Sequence, residues 1–401
     1  MWRIEQRSLG VLIFCALWLC GCEPPGSQST AEMWSEPIRV ATFNTSLNRP
    51  AAGQLANDLR DGNDAQAWQV AAIVQRVRPD VLLLNEFDYD PQNPGGSWRL
   101  FQDLYLAVDQ DGQQGIRYPH HFVAPVNTGL PSGFDWDKDG TEDGFGHGAF
   151  PGQYGMLVAS RYPIDQDAVR TFQHFLWKDM PQAMLPADPE TGSDYYGPAE
   201  LMAFRLTSKS HWDVPIRIGD STVHFLVCHP TPPVFDGPED RNGSRNHDES
   251  RLLADYIAPR RSPYIYDDQR RFGGLPPDAA FIIAGDLNAD PDDGDSAEFA
   301  VRQLIEHPRI RSTPVPSSRG GIEQAQVQAE ANAQHVGDAA YDTGDFPDQN
   351  VGNLRVDYVL PSRNLDVLDA GVYWPASGQS GFALVAASDH RLVWVDVRLA
   401  R

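Results

Sequence analysis

Apolar and polar residues alternate along Ile38-Arg39-Val40-Ala41-Thr42-Phe43-Asn44, a period of two that predicts a strand ending at Asn44. Downstream, Val70, Ile73, Val74 and Val77 recur at helical spacing. They predict a helix over Asp64–Val77 with one apolar face, stopped by Arg78-Pro79. Val81 to Leu84 is continuously apolar and leads into Asn85-Glu86-Phe87, the pattern of a buried strand. Similar strands are predicted at Tyr154–Ile164, Val223–His229, Ala280–Asn288, Arg355–Pro361 and within Gly381–Val397. A second helix is expected from Asp248 to Ile257, opened by a capping box of Asn246 and Glu249. The intervening stretches read as loop. They are residues 90–153, a Pro-rich segment from Pro181 to Pro198 between strands near Phe172 and Phe204, and a Gly-, Gln- and Ala-rich stretch, 312–353, expected to form a lid or substrate rim. The chain shows no internal repeat and no second domain of standard size.

These strands end alike, in residues suited to a metal or a phosphate. Asn44 and Glu86 close the first two, and the strand–helix–strand spacing sets them on neighbouring ends. Glu86 follows four large aliphatics, and burying a carboxylate unpaired is costly, so a metal or another cation is its natural partner. His229 ends Val223–His229, just before Pro230-Thr231-Pro232-Pro233. Gly285 permits close backbone approach before Asp286. Asp286 and Asn288 share a direction if the chain stays extended. Asp357 lies inside its strand, and Ser388-Asp389-His390 precedes the alternating run Leu392–Val397. Two of these residues have a plainer reading: Asn44 as a turn former, His229 as a satisfied core histidine.

The loop Asp135-Trp136-Asp137-Lys138-Asp139-Gly140 continues to Asp143. Asp135, Asp137, Asp139 and Asp143 fall at oxygen-ligand positions of a calcium loop, but its twelfth position is Gly146 instead of Glu. It reads either as a Ca²⁺ loop or as a solvated acidic turn. Cations near the motifs are few: Arg161, Arg241, Arg245 and Arg355. Arg245 and Arg161 are taken as phosphate ligands.

The N-terminus reads as an export signal. Arg3 and Arg7 flank the apolar run Leu9–Leu19, which is too short to span a membrane, and Leu19-Cys20-Gly21-Cys22 follows. Leu-x-Gly-Cys resembles the bacterial lipobox, which makes Cys22 the lipid-bearing first residue of the mature chain. Residues 1–21 are thus a signal peptide, 22–37 a flexible tether and 38–401 the folded domain. That reading places the protein on the bacterial cell envelope, in the periplasm or at the cell surface, with the lipid as its membrane contact. Cys228 then remains alone, in an apolar strand where inert packing is expected. The chain has 401 residues and a net charge of −23, with 55 acidic residues against 32 basic ones. Such a surface lowers the expectation of nucleic acid as partner and favours divalent cations.

TFN at Asn44, NEFD at Glu86, SR at Ser160-Arg161, CHPTPP at His229, GDLN at Asp286-Leu287-Asn288, VDYVL at Asp357 and SDH at Asp389-His390 resemble, in this order, the motifs of the endonuclease/exonuclease/phosphatase superfamily, which includes deoxyribonuclease-I-like nucleases. The resemblance covers residues 38 to 398 and implies an α/β fold: a four-layer α/β sandwich, two mixed, mainly antiparallel sheets flanked by helices. It also implies in-line attack of water on a phosphate ester, with Mg²⁺ or Mn²⁺ held by Glu86 with help from Asn44 and Asp389. Asp357 would orient His390 as general base, with Asp286 as the alternative base. Asp286 and Asn288 would position water and a phosphoryl oxygen, and His229 would bind phosphate or stabilise the leaving oxygen. A monomer acting on a small phosphomonoester or phosphodiester is the favoured expectation. The alternatives are an endonuclease or exonuclease, a surface binding protein that keeps the fold without the chemistry, and a calcium-dependent adhesive module.

Overall fold

The structure, a computed structural model, describes residues 36–399 together with Trp2. The expected signal sequence apart from Trp2, the expected lipid-bearing Cys22 and residues 23–35 of the tether lie outside the described residues. No helix among the described residues is long and apolar enough to cross a membrane.

The strands of the two main sheets are β1 (Ile38–Leu47), β2 (Val81–Phe87), β3 (His120–Phe122), β4 (Met156–Ser160), β5 (Arg170–Thr171), β6 (Trp212–Ile218), β7 (Ser221–Cys228), β8 (Ala280–Asp286), β9 (Asp357–Pro361), β10 (Leu365–Val372) and β11 (Val393–Leu399). They form a six-stranded sheet, β10-β11-β1-β2-β4-β3, and a five-stranded sheet, β9-β8-β7-β6-β5. Alternation of side chains sorts residues into layers. Val40, Leu83 and Val158 of the first sheet meet Val214, Phe225, Ile282 and Val359 of the second. On the outer face of the first sheet, Phe43, Leu82, Leu84 and Leu157 pack on Val70, Ile73, Val74 and Val77 of helix α1 (Ala65–Val77). On the outer face of the second, Leu226, Phe281, Ile283 and Leu360 pack on Leu252, Leu253 and Tyr256 of helix α2 (Arg241–Tyr256). The result is four layers: helix, sheet, sheet, helix.

Each sheet is antiparallel apart from one parallel pair, β1/β2 or β7/β8, and in each pair a helix makes the crossover. Both parallel pairs therefore end side by side, with Asn44 opposite Asn85 and Gly285 opposite Cys228. The antiparallel neighbours begin where these strands end, so Asp286 pairs with Asp357, and Thr42 with Val393, just after His390. Polar strand ends from both sheets thus collect at one edge of the sandwich. A Cβ on Gly285 would sit 2.1 Å from the Cys228 carbonyl oxygen, so this close strand contact requires glycine. Cys228 itself is free and fully buried, as expected.

Helix α1 is bounded as its sequence predicts. Asp64 caps it by accepting from Ala67 N at 2.7 Å, and Arg78 leaves it in a left-handed conformation, φ 55°. Helix α2 is not: it starts at Arg241 instead of Asp248, so Asn246 and Glu249 lie inside it. Their side chains serve neighbouring loops. Asn246 Nδ2 donates to the Thr231 and Leu287 carbonyls at 2.7 and 2.9 Å, and Glu249 accepts from Ser208 N and Thr231 N, each at 2.6 Å. Residues 312–353 are not all loop either, because Ser318 caps a third helix, α3 (Arg319–Gln328), through Gly321 N at 3.0 Å. Residues 90–153 likewise contain a short helix, Gly96–Phe101, and edge strand β3.

Candidate active site where the two sheets meet

Asp286 is the hub. It is 1 % exposed. Its Oδ1 accepts from Asn288 N at 2.9 Å and its Oδ2 from Asn44 Nδ2 at 3.0 Å. His229 Nε2 and His390 Nε2 lie 3.4 and 3.6 Å from the same Oδ2. His390 Nδ1 is 2.9 Å from Asp357 Oδ2, which fixes the ring and leaves Nε2 facing Asp286. The Phe346 ring closes on His390 edge-on, with centroids 5.4 Å apart. Thr343 Oγ1 accepts from Val356 N and Asp357 N at 3.0 and 2.9 Å, which seats the start of β9. Phe346 and Thr343 both come from the stretch expected to form a rim.

Glu86 ends β2 in a left-handed conformation, φ 56°, and accepts from Asn44 Nδ2 at 3.1 Å and Asn48 Nδ2 at 2.8 Å. Asn44 thus acts as a neutral bridge between the Glu86 and Asp286 carboxylates. Asp389 is exposed, and Ser46 Oγ donates to its Oδ1 at 3.0 Å, tying it to the strand that carries Asn44. Asn288 turns left-handed, φ 51°, so the chain does not stay extended after Asp286, and its Nδ2 donates to the Pro230 carbonyl at 3.1 Å. The expected shared direction of Asp286 and Asn288 is replaced by a backbone bond between them.

Burial raises the pKa of Glu86, and Asp286 adds to the rise against opposition from His390, Asn44 and Lys209. Burial and the neighbouring Asp357 raise Asp286. Burial works against protonation of His390, but Asp357 and Asp286 outweigh it, and the pKa is raised. His229 goes the other way: burial, with Lys209 and His390 adding to it, pushes it well below its ordinary value. Asp88, just past Glu86, is pushed up to about 7 by burial although Arg49 N and Tyr154 N donate to it.

The donor set fits a divalent ion. Among the described residues, Glu86 accepts hydrogen bonds only from neutral amides, and the Asp357 Oδ1 atom is buried with no hydrogen-bond partner. Ligand atoms of Asp286, Asp357 and His390 all lie within 4.8 Å of one another. Hard carboxylate oxygens in negative excess suit Mg²⁺ or Mn²⁺. In the acidic loop, Asp135, Asp137 and Asp139 also converge within 4.8 Å. Asp143 instead turns to the backbone, accepting from Trp136 N at 2.7 Å.

The arginines expected at the phosphate lie elsewhere. Arg245 is 7 % exposed and donates to the Leu206, Phe145 and Arg205 carbonyls at 2.8, 2.7 and 3.1 Å. It is a scaffold residue. Arg161 follows β4, which runs antiparallel to β2, so Ser160 pairs with Val81 at the far end of the sheet from Glu86. There Arg161 pairs with Asp80 at 2.9 Å. Arg241 pairs with Glu239 and Asp137, and Arg355 lies over the Tyr358 ring.

Sequence reading passed over Asn85, Asn48, Ser46 and Lys209. Asn85 had a detectable signal: it sits on the inner face with Val81 and Leu83, where a polar group needs partners. It finds them across the sheets, donating to the Cys228 carbonyl at 3.3 Å and accepting from Asp286 N at 3.4 Å. The others are recognisable only once the strands are paired.

A family model described as the Endonuclease/Exonuclease/phosphatase family matches residues 41–390. Among solved structures, an endonuclease/exonuclease/phosphatase from Beutenbergia cavernae is similar at 20% identity and TM-score 0.50, over 91% of this chain and 72% of that one. Sphingomyelinase C from Streptomyces griseocarneus is similar at 14% identity and TM-score 0.45, over 90% and 99% of the two chains. A beta-toxin variant from Staphylococcus aureus with bound magnesium ions is similar at 13% identity and TM-score 0.44, over 91% and 99%. No curated protein matches in sequence.

Proposed function

From the premise that this chain belongs to the endonuclease/exonuclease/phosphatase family, whose members are metal-dependent phosphoester hydrolases, we propose that it hydrolyses a small extracellular phosphomonoester or phosphodiester. The supporting observation is the buried array of Asp357, His390 and Asp286, pinned at 2.9 Å and facing at 3.6 Å. Glu86, with Asn44 and Asp389 beside it, would hold Mg²⁺ or Mn²⁺, which when bound offsets phosphoryl charge and polarises the ester. Asp357 would orient His390 as the proton acceptor for the attacking water, a role that needs the bound cation to offset the Asp286 and Asp357 charges that raise its pKa, and Asp286 is the alternative acceptor at the same spot. Asn288 and His229 border that spot and position the phosphoryl group. The two sheets exclude bulk water from beneath the site, which strengthens each of these interactions.

Charge supports a small ester over duplex DNA, because duplex binding rests on several cationic contacts. The chain carries 55 acidic residues against 32 basic ones, and Arg245, Arg161 and Arg241 near the motifs are committed to the scaffold or to ion pairs. On a panel of chromogenic monoesters and diesters beside supercoiled plasmid, the expected result is higher kcat/KM on a small ester, abolished by EDTA and restored by Mg²⁺ or Mn²⁺. Plasmid nicking that falls steeply with salt, without turnover of small esters, would make the nuclease reading the leading one. EDTA-resistant activity would remove the metal from the proposal.

Export as a lipoprotein completes this reading, since an anchored enzyme meets phosphate esters outside the cytoplasm. The mature protein is expected to begin at Cys22 and to partition into detergent, with Cys22→Ala misprocessed or released. An intact mass showing residue 22 unmodified rejects the anchor.

A further inference from the structure

With Arg245 and Arg161 placed elsewhere, the phosphoryl group of the proposed reaction lacks an assigned side-chain cation, and one buried ammonium stands beside it. Lys209 precedes β6. Trp212 pairs with Val227, and that register, carried back along the chain, sets Ser210 opposite His229 and Lys209 opposite Pro230. The side chain agrees: Lys209 Nζ lies 3.5 Å from the Pro230 carbonyl oxygen. The same oxygen accepts from Asn288 Nδ2 at 3.1 Å, so the ammonium and the Asn288 amide converge on one point beside His229.

Lys209 is 7 % exposed, and this long contact is its only side-chain hydrogen bond among the described residues. An ammonium has three protons to donate. The acid that favours its charge most, Glu249, has both oxygens engaged by backbone N–H groups of Ser208 and Thr231. Glu86 and Asp286 act on Lys209 only through space, and burial outweighs all three acids, lowering its pKa. A buried cation without a close counter-charge costs stability and is retained where a ligand supplies the anion. We propose that Lys209 binds a non-bridging oxygen of the substrate's phosphoryl group, next to Asn288, as the site's phosphate-directed cation. The assignment rests on the phosphoesterase reading for its substrate, but its ligand chemistry is that of phosphate itself.

Two substitutions separate this role from a structural one. Lys209→Gln keeps an N–H for the Pro230 carbonyl and removes the charge, while Lys209→Met removes both. Binding of inorganic phosphate to the full-length protein at saturating Mg²⁺ is measured by calorimetry, and Tm is measured without phosphate or metal. The expected result is a Kd for phosphate raised roughly ten- to a hundredfold in both variants, with a ligand-free Tm no lower than that of the wild type. The best ester of the panel is expected to lose roughly a hundredfold in kcat/KM. Wild-type phosphate affinity in Lys209→Gln overturns the proposal, as does a ligand-free Tm several degrees lower in both variants, or a wild type that binds no phosphate. If Lys209-dependent phosphate binding persists in a protein that turns over no ester, the hydrolase reading fails and this one stands. If ester turnover survives both substitutions intact, the reverse holds.

Discussion

Glu86→Gln and His390→Ala are expected to disable the enzyme in different ways. In Glu86→Gln, the metal concentration giving half-maximal activity should rise by roughly a hundredfold or more. In His390→Ala, kcat should fall by roughly 10² to 10⁴-fold with metal affinity close to that of the wild type. The first follows from where the Glu86 charge sits. Its hydrogen-bond partners are the neutral amides of Asn44 and Asn48, so a bound cation would be the counter-charge that makes its burial tolerable. Gln keeps the shape and removes the reason for the ion to bind. The second follows from the orientation of His390, whose Nδ1 is held by Asp357 while Nε2 faces Asp286. Truncating His390 also strands the Asp357 carboxylate in the interior, so Asp357→Asn combined with His390→Ala separates lost chemistry from lost stability. Metal titrations of activity and direct Mn²⁺ binding on the same samples read both effects. Full activity of Glu86→Gln at low Mg²⁺ would refute the metal assignment, and an active His390→Ala would leave Asp286 as the base.

The sequence displays the site edge because strand ends leave a local signature: an apolar run stopping at one polar residue. Asn44, Glu86, His229 and Asp286 each stand at such a point, Asp357 and His390 stand where antiparallel neighbours begin, and two helix crossovers explain why ends from both sheets meet. What the sequence hides depends on pairing. Arg161 stands next to a strand end like the others, but β4 runs antiparallel to β2, which carries it to the opposite edge. Arg245 lies close to the motifs in sequence, yet on the buried side of α2. The Asn246–Glu249 spacing satisfies the capping-box rule, but the backbone groups those side chains satisfy lie in the loops at 206–208 and 229–231 and at Leu287, which no local rule can see. Lys209 is silent in sequence for the same reason: its meaning comes from Pro230 across the sheet.

Asp342→Asn is expected to stabilise the protein at alkaline pH and to leave it unchanged in acid. Asp342 is 8 % exposed and makes no side-chain hydrogen bond among the described residues. Burial, then Asp290, Asp293 and Asp338, push its pKa up to about 8. Those neighbours cannot turn away, because backbone groups hold them. Asp290 accepts from Asp292 N, Asp293 N and Arg355 N, Asp293 from Val336 N and Gly337 N, and Asp338 from Ala340 N. The sign follows from proton uptake: with a raised folded-state pKa, the folded chain binds more protons than the unfolded one between about pH 4 and pH 8. The stability contributed by protonated Asp342 is therefore complete below about pH 4 and lost as pH climbs through 8. Asn mimics the protonated form at every pH, so the variant should gain a few kcal/mol over the wild type at pH 8.5, or on the order of 5 °C in Tm. At pH 4 the two should melt together. EDTA in both arms keeps divalent ions from masking the cluster, and the difference between the two proteins cancels every other titrating group. An equal Tm difference at both pH values would show that Asp342 stays charged in the fold. Because Asp342 directly precedes Thr343, whose hydroxyl seats the Asp357 backbone, charging it works against the turn that holds the Asp357–His390 pair.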